Sequence, residues 1–103
     1  MAQRVVIGSA EQVRPGQRTL VETAGREVVV FNVDGRWHAV QNKCPHAGAP
    51  LMTSGSIRGS DLVCDWHDVC FDLKSGESDS GFELCVFPAG VDADGRLFVE
   101  IPG

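Results

Sequence analysis

Short runs of β-branched and aromatic residues, separated by glycine-containing turns, set the pattern of this chain. "REVVVFN" (residues 26–32) is followed by Val33-Asp34-Gly35 and then by "RWHAVQ" (residues 36–41). An Asp-Gly pair between two such runs predicts a β-hairpin, because the favoured two-residue turn needs positive φ at its central positions. "GVDADGRLFVEI" (90–101) repeats the arrangement around Asp94-Gly95. "RTLVETAGREVVVF" predicts a further reversal at Ala24-Gly25, and "GSIRGSDLVCDW" another near Gly59. Only "GSAEQVRPG" looks helical, with Ser9 as a possible N-cap, Gln12 three residues on, and Pro15-Gly16 ending it within about one turn. The expected fold is all-β: an antiparallel β-sandwich of short strands, one domain over residues 1–103, with no linker, repeat or low-complexity segment.

Composition agrees with a globular chain. Of 103 residues, 43% are hydrophobic and 22% charged, an ordinary balance for a packed domain. "MAQRVVIGSAEQVRPG" lacks the apolar run of a signal sequence, and nothing approaches the roughly 18 apolar residues of a membrane span. The expectation is a cytoplasmic, monomeric or weakly associating protein that needs no membrane. Charge is unevenly spread: residues 61–103 hold ten Asp or Glu against two Lys or Arg, whereas residues 1–60 hold four against seven. The net charge of −5 argues against nucleic-acid binding and suits a basic partner.

The chemistry concentrates in two boxes. "KCPHAGAPL" places Cys44 and His46 two positions apart in a stretch that Pro45, Gly48 and Pro50 keep from becoming helical, and "VCDWHDVC" places Cys64 and His67 three apart. Seventeen residues separate the boxes (47–63). Two Cys/His pairs on two loops is how a small chain assembles a four-ligand metal site. Without an export signal, thiols spaced with imidazoles indicate metal chemistry rather than disulfides. Cys70 in "DVCFDL" and Cys85 in "ELCVFP" have no nearby His, look like strand, and are expected to pack as small apolar residues, spectators to the site. His38 and Trp37 are expected to be ordinary strand and core residues.

"CPHAGAPL" and "CDWHDVCFDLKSGE" resemble the C-x-H and C-x-x-H boxes of the Rieske-type [2Fe–2S] ferredoxins, and with the flanking hairpins the similarity covers nearly the whole chain. The resemblance implies that one [2Fe–2S] cluster binds with Cys44 and Cys64 on one iron and His46 and His67 on the other. Two ferric ions, two sulfides and two thiolates cancel in charge when both imidazoles are neutral, whereas four thiolates would leave a dianion; reduction is therefore easier with histidine ligands. High-potential members of the family carry an extra cysteine in each box, forming a disulfide. Ala49 and Trp66 stand where that bridge would be, so the chain is similar to the soluble low-potential ferredoxins that feed oxygenases. Asp68 follows His67 where the family often has glycine; Asp tolerates positive φ better than most residues.

The resemblance thus implies a one-electron carrier without enzymatic activity of its own, passing electrons from an NAD(P)H-dependent ferredoxin reductase to a terminal oxygenase. Two alternatives stay open. One is the small Rieske subunit of an assimilatory nitrite reductase. The other is a zinc-binding structural module, which Cys₂His₂ ligation permits, although zinc fingers usually pair cysteines on one knuckle and histidines on the other.

Overall fold

The computed structural model describes residues 2–23, 25–45, 48–66, 68–78 and 81–102. Its elements in chain order are β1 (Ala2–Ser9), a 3₁₀ turn (Ala10–Gln12), β2 (Arg18–Thr23), β3 (Arg26–Val33), β4 (Arg36–Gln41) and α1 (Leu51–Ser54). There follow β5 (Gly55–Arg58), β6 (Asp61–Cys64), β7 (Val69–Asp72), β8 (Val86–Phe87), β9 (Ala89–Val91) and β10 (Arg96–Pro102). All pairings are antiparallel and form three sheets, ordered β1-β10-β9, β2-β3-β4-β8 and β5-β6-β7.

The middle sheet explains the apolar run in "REVVVFN". Val28, Val29, Val30 and Phe31 are each at most 1% exposed, which a strand covered on one face only could not achieve, since successive side chains point to opposite faces. Val28 and Val30 join Ala39, Leu97, Val99 and Ile101 in a core against the β1-β10-β9 sheet. Val29, Phe31 and Val40 face the other way, into a second core with Leu51, Leu62, Phe71, Leu73 and Leu84 beneath the β5-β6-β7 sheet. The all-β antiparallel expectation holds; the sandwich carries a third, smaller sheet on its outer side.

The predicted reversals are present. The β3–β4 turn has Asp34 at φ 54° and Gly35 at φ 87°, as a hairpin of this hand requires. β2 pairs with β3 across the Ala24-Gly25 reversal, β5 with β6 across Gly59, and β9 with β10 across Asp94-Gly95; Ala24 itself lies outside the described residues. Ser9 does cap a helical turn, its hydroxyl accepting the Glu11 N–H at 3.3 Å, but the turn is 3₁₀ and three residues long.

Two features depart from expectation. A four-residue α-helix, α1, follows the first box where only loop is expected; Thr53 and Ser54 N–H groups donate to the Pro50 carbonyl, so the proline that cannot continue a helix begins one instead. The strand containing "ELCVFP" is only Val86–Phe87, and Cys85 lies outside it. No helix among the described residues is long and apolar enough to cross a membrane.

Candidate metal centre

Both box cysteines occupy the same station in two similar loops. The Cys44 carbonyl accepts the Gly48 N–H at 2.7 Å, and the Cys44 N–H donates to the Ala49 carbonyl at 2.8 Å. The Cys64 carbonyl accepts the Asp68 N–H at 2.8 Å, and Cys64 stands opposite Val69 in the β6–β7 ladder. Each loop therefore closes a five-residue turn from cysteine to a left-handed residue four positions on, Gly48 at φ 73° and Asp68 at φ 54°. Asp68 and Asp34 are the described non-glycine residues with positive φ. Asp68 thus takes the backbone conformation for which glycine would be the default, as its tolerance of the left-handed region allows.

Cys44 and Cys64 are both fully buried and belong to one apolar cluster with Leu51, Leu62, Phe71 and Leu84. His46 and His67, the expected imidazole ligands, lie outside the described residues. Among the described residues no three His, Cys, Asp or Glu side chains gather closely enough to hold a metal ion; the two buried cysteines could supply the thiolates of a donor set. Thiols enclosed together at the roots of paired loops, shielded by aliphatic side chains, suit an iron–sulfur core, for which thiolate is the favoured ligand.

The first loop is held by side chains that local sequence patterns do not single out. The Gln41 amide bridges outward, Oε1 accepting the Cys85 N–H at 2.8 Å and Nε2 donating to the Lys43 carbonyl at 2.5 Å. Asn42 Oδ1 accepts the Met52 N–H at 2.7 Å, joining the two ends of the loop and satisfying a donor of the first turn of α1. The second loop grows from the ladder of β6 and β7 and is tied to α1, the Asp65 N–H donating to the Ser54 carbonyl at 2.8 Å. The Ser56 hydroxyl donates to Asp65 Oδ1 at 2.6 Å.

The "FDLKSGE" stretch after the second box has a definite job. Asp72 Oδ1 accepts the N–H groups of Lys74 (2.7 Å) and Ser75 (3.0 Å), and these bonds hold its carboxyl below the usual carboxylate range. Gly76 sits at φ 78°, and a Cβ there would lie 2.0 Å from the Leu84 carbonyl oxygen. Only glycine lets the chain pass this close, where the Leu84 N–H donates to the Gly76 carbonyl at 2.8 Å and Leu84 joins the same apolar cluster as the two cysteines. His38 on β4 is half-buried; burial first, and the nearby Lys74 second, lower its pKa. Trp37 is partly buried against the other core, as expected.

Cys70 and Cys85 do not pack as apolar residues, for both are exposed. On β7 the alternation turns Phe71 inward and therefore Cys70 outward. Cys85 is held by its backbone, its N–H and carbonyl both bonded to Gln41, which leaves its side chain outside. Trp66 is 57% exposed beside exposed Asp65 and Asp68, whereas Ala49 of the first box is fully buried.

A family model, the Rieske [2Fe-2S] domain, matches residues 3–83. Apoptosis-inducing factor 3 of Mus musculus is 39% identical over 86 residues, which cover 84% of this chain and 13% of that protein. The biphenyl dioxygenase ferredoxin subunit of Pseudomonas sp. (strain KKS102) is 32% identical over 69 residues, 67% of this chain and 63% of that one. The chain therefore spans about an eighth of the first relative's length and less than two thirds of the second's. A crystal structure assigned to an NADH-dependent nitrite reductase small subunit of Mycobacterium tuberculosis superposes with a TM-score of 0.86 at 24% identity, covering 100% of this chain and 98% of that one, a likeness of fold. With the family model spanning most of the chain, the chain belongs to the Rieske [2Fe-2S] domain family, whose cofactor is one [2Fe–2S] cluster.

Proposed function

We propose that the chain is a one-electron carrier, a ferredoxin that takes electrons from an NAD(P)H-dependent reductase and delivers them to a terminal oxygenase. When bound, a [2Fe–2S] cluster supplies one-electron redox chemistry. Cys44, His46, Cys64 and His67 hold it, with the thiolates enclosed by the aliphatic core. Carrying this reading is the pairing of two buried cysteines on matched loops with an open rim, Asp65, Trp66 and Asp68, beside the second. Buried thiolates keep water from the sulfurs, and the rim leaves an approach for a partner. Kinship with the biphenyl dioxygenase ferredoxin subunit supports the oxygenase as the acceptor. The chain works as a cytoplasmic monomer, and its acidic carboxyl-terminal half steers partners with basic docking faces.

The test is direct. Protein loaded with about two irons and two acid-labile sulfides should be bleached by one electron per chain on addition of NAD(P)H and a ferredoxin reductase, and should reoxidise with a terminal oxygenase. Reduction should slow as salt rises, because screening weakens steering. A loaded protein that no ferredoxin reductase reduces would overturn the reading. A second reading, the small subunit of a nitrite reductase, has the whole-length likeness of fold in its favour; co-purification with a large reductase subunit would decide for it.

A further inference from the structure

Arg18 opens β2 in the middle sheet, yet its side chain reaches into the cysteine-bearing unit. Its Nη1 donates to the carbonyl oxygens of Leu51 (3.3 Å), Met52 (3.5 Å) and Gly55. Three carbonyls along and just beyond a single helical turn converge on one cationic nitrogen. The Leu51 carbonyl already accepts the Gly55 N–H, so Arg18 adds a charge-assisted bond to the one that closes the turn. The guanidinium lies over the Phe31 ring, 4.7 Å from its centroid, which fixes its plane against the core. Burial lowers its pKa and attraction from Asp65 opposes that; a guanidinium stays charged regardless.

What Arg18 grips is the segment that joins the two boxes. Through Pro50, α1 continues directly from the first loop, and through Ser54 and Ser56 it holds Asp65, the neighbour of Cys64. We propose that Arg18 is a positioning residue for the metal centre: by anchoring α1 to the middle sheet it sets the spacing of the Cys44 and Cys64 loops and limits their movement when the charge between them changes. The inference rests on the reading of these cysteines as ligands.

In the intact, cluster-loaded chain, Arg18→Met keeps most of the side-chain volume and removes the donors. Amide exchange at Gly55 and Asp65 should rise about tenfold, because charge-assisted bonds that hold α1 closed are gone, while Val99 in β10 keeps its protection. The electron paramagnetic resonance lines of the reduced protein should broaden as the ligand loops sample more geometries. Arg18→Lys, which retains a cationic donor, should recover most of the protection and the narrow lines. Exchange at Gly55 and Asp65 equal to that of the unaltered protein, or a rise shared equally by Val99, would overturn the proposal, as would a lysine variant no better than methionine. Retention of the cluster in Cys44→Ser would sink the ligand reading instead, so the two failures are distinguishable.

Discussion

The two cysteine loops close with the same hydrogen bond but are supported by different means. Each runs five residues from a buried cysteine to a left-handed residue whose N–H returns to the cysteine carbonyl. The second loop is a continuation of a hairpin: β6 runs in, β7 runs out, and the ladder holds both ends. The first has no ladder. It leaves β4, passes three positions that are proline or glycine, and enters α1, with its ends joined by the Asn42 side chain and its start pinned by Gln41. A loop grown from a sheet inherits its rigidity from backbone bonds, and one between dissimilar elements depends on particular side chains. Polar substitutions should therefore hurt the first loop more than the second.

The largest effect removes what the loops share. Cys44→Ser and Cys64→Ser should each abolish the red-brown colour and the acid-labile sulfide, measured by absorbance and by iron and sulfide assay. Retention in one of the two would break the equivalence of the loops.

Next comes the side chain that closes the first loop. Asn42→Ala leaves the Met52 N–H without its acceptor and should cost about 1–2 kcal/mol in denaturant unfolding, with faster loss of cluster. Ser56→Ala, which removes an exposed bond to Asp65 in the second loop, should cost less, about 0.5 kcal/mol. Equal costs would refute the distinction between ladder and side-chain support.

The two left-handed residues give a finer contrast. Gly48→Ala meets no close neighbour, its Cβ lying 3.7 Å from the Lys43 side chain, so its cost of about 1 kcal/mol should be purely conformational. Asp68→Gly should stay within about 0.5 kcal/mol of the unaltered protein, since relief of strain is offset by the greater freedom of glycine in the unfolded chain.

The smallest effect concerns the cysteines outside the loops. Both are exposed, so replacing Cys70 and Cys85 together by Ser should leave the cluster spectrum unchanged and stability within about 0.5 kcal/mol. A loss of colour would show that one of them serves the centre.

Much of this arrangement is legible locally. Asp34-Gly35 and Asp94-Gly95 marked their turns because the backbone angles that close a hairpin favour few residue types. The spacing within each box named both cysteines, and the choice of residue at 68 foretold its φ. The unseen parts are those whose cause lies far along the chain. Cys70 and Cys85 looked apolar because a cysteine's neighbours do not say which face of a strand will be covered. Helix α1 is too short for periodicity to reveal and depends on Asn42 and Arg18 from other elements.

By itself the sequence determined most strands and turns and the family, because these depend on residue types at short separations. Tertiary structure alone decided that the middle sheet would be buried on both faces, that Leu84 would join the cluster of the two cysteines by way of Gly76, and that Arg18 would reach three carbonyls more than thirty residues away. Those outcomes require strands distant in sequence to pack against one another, and no local pattern encodes which partner a half-buried side chain will meet.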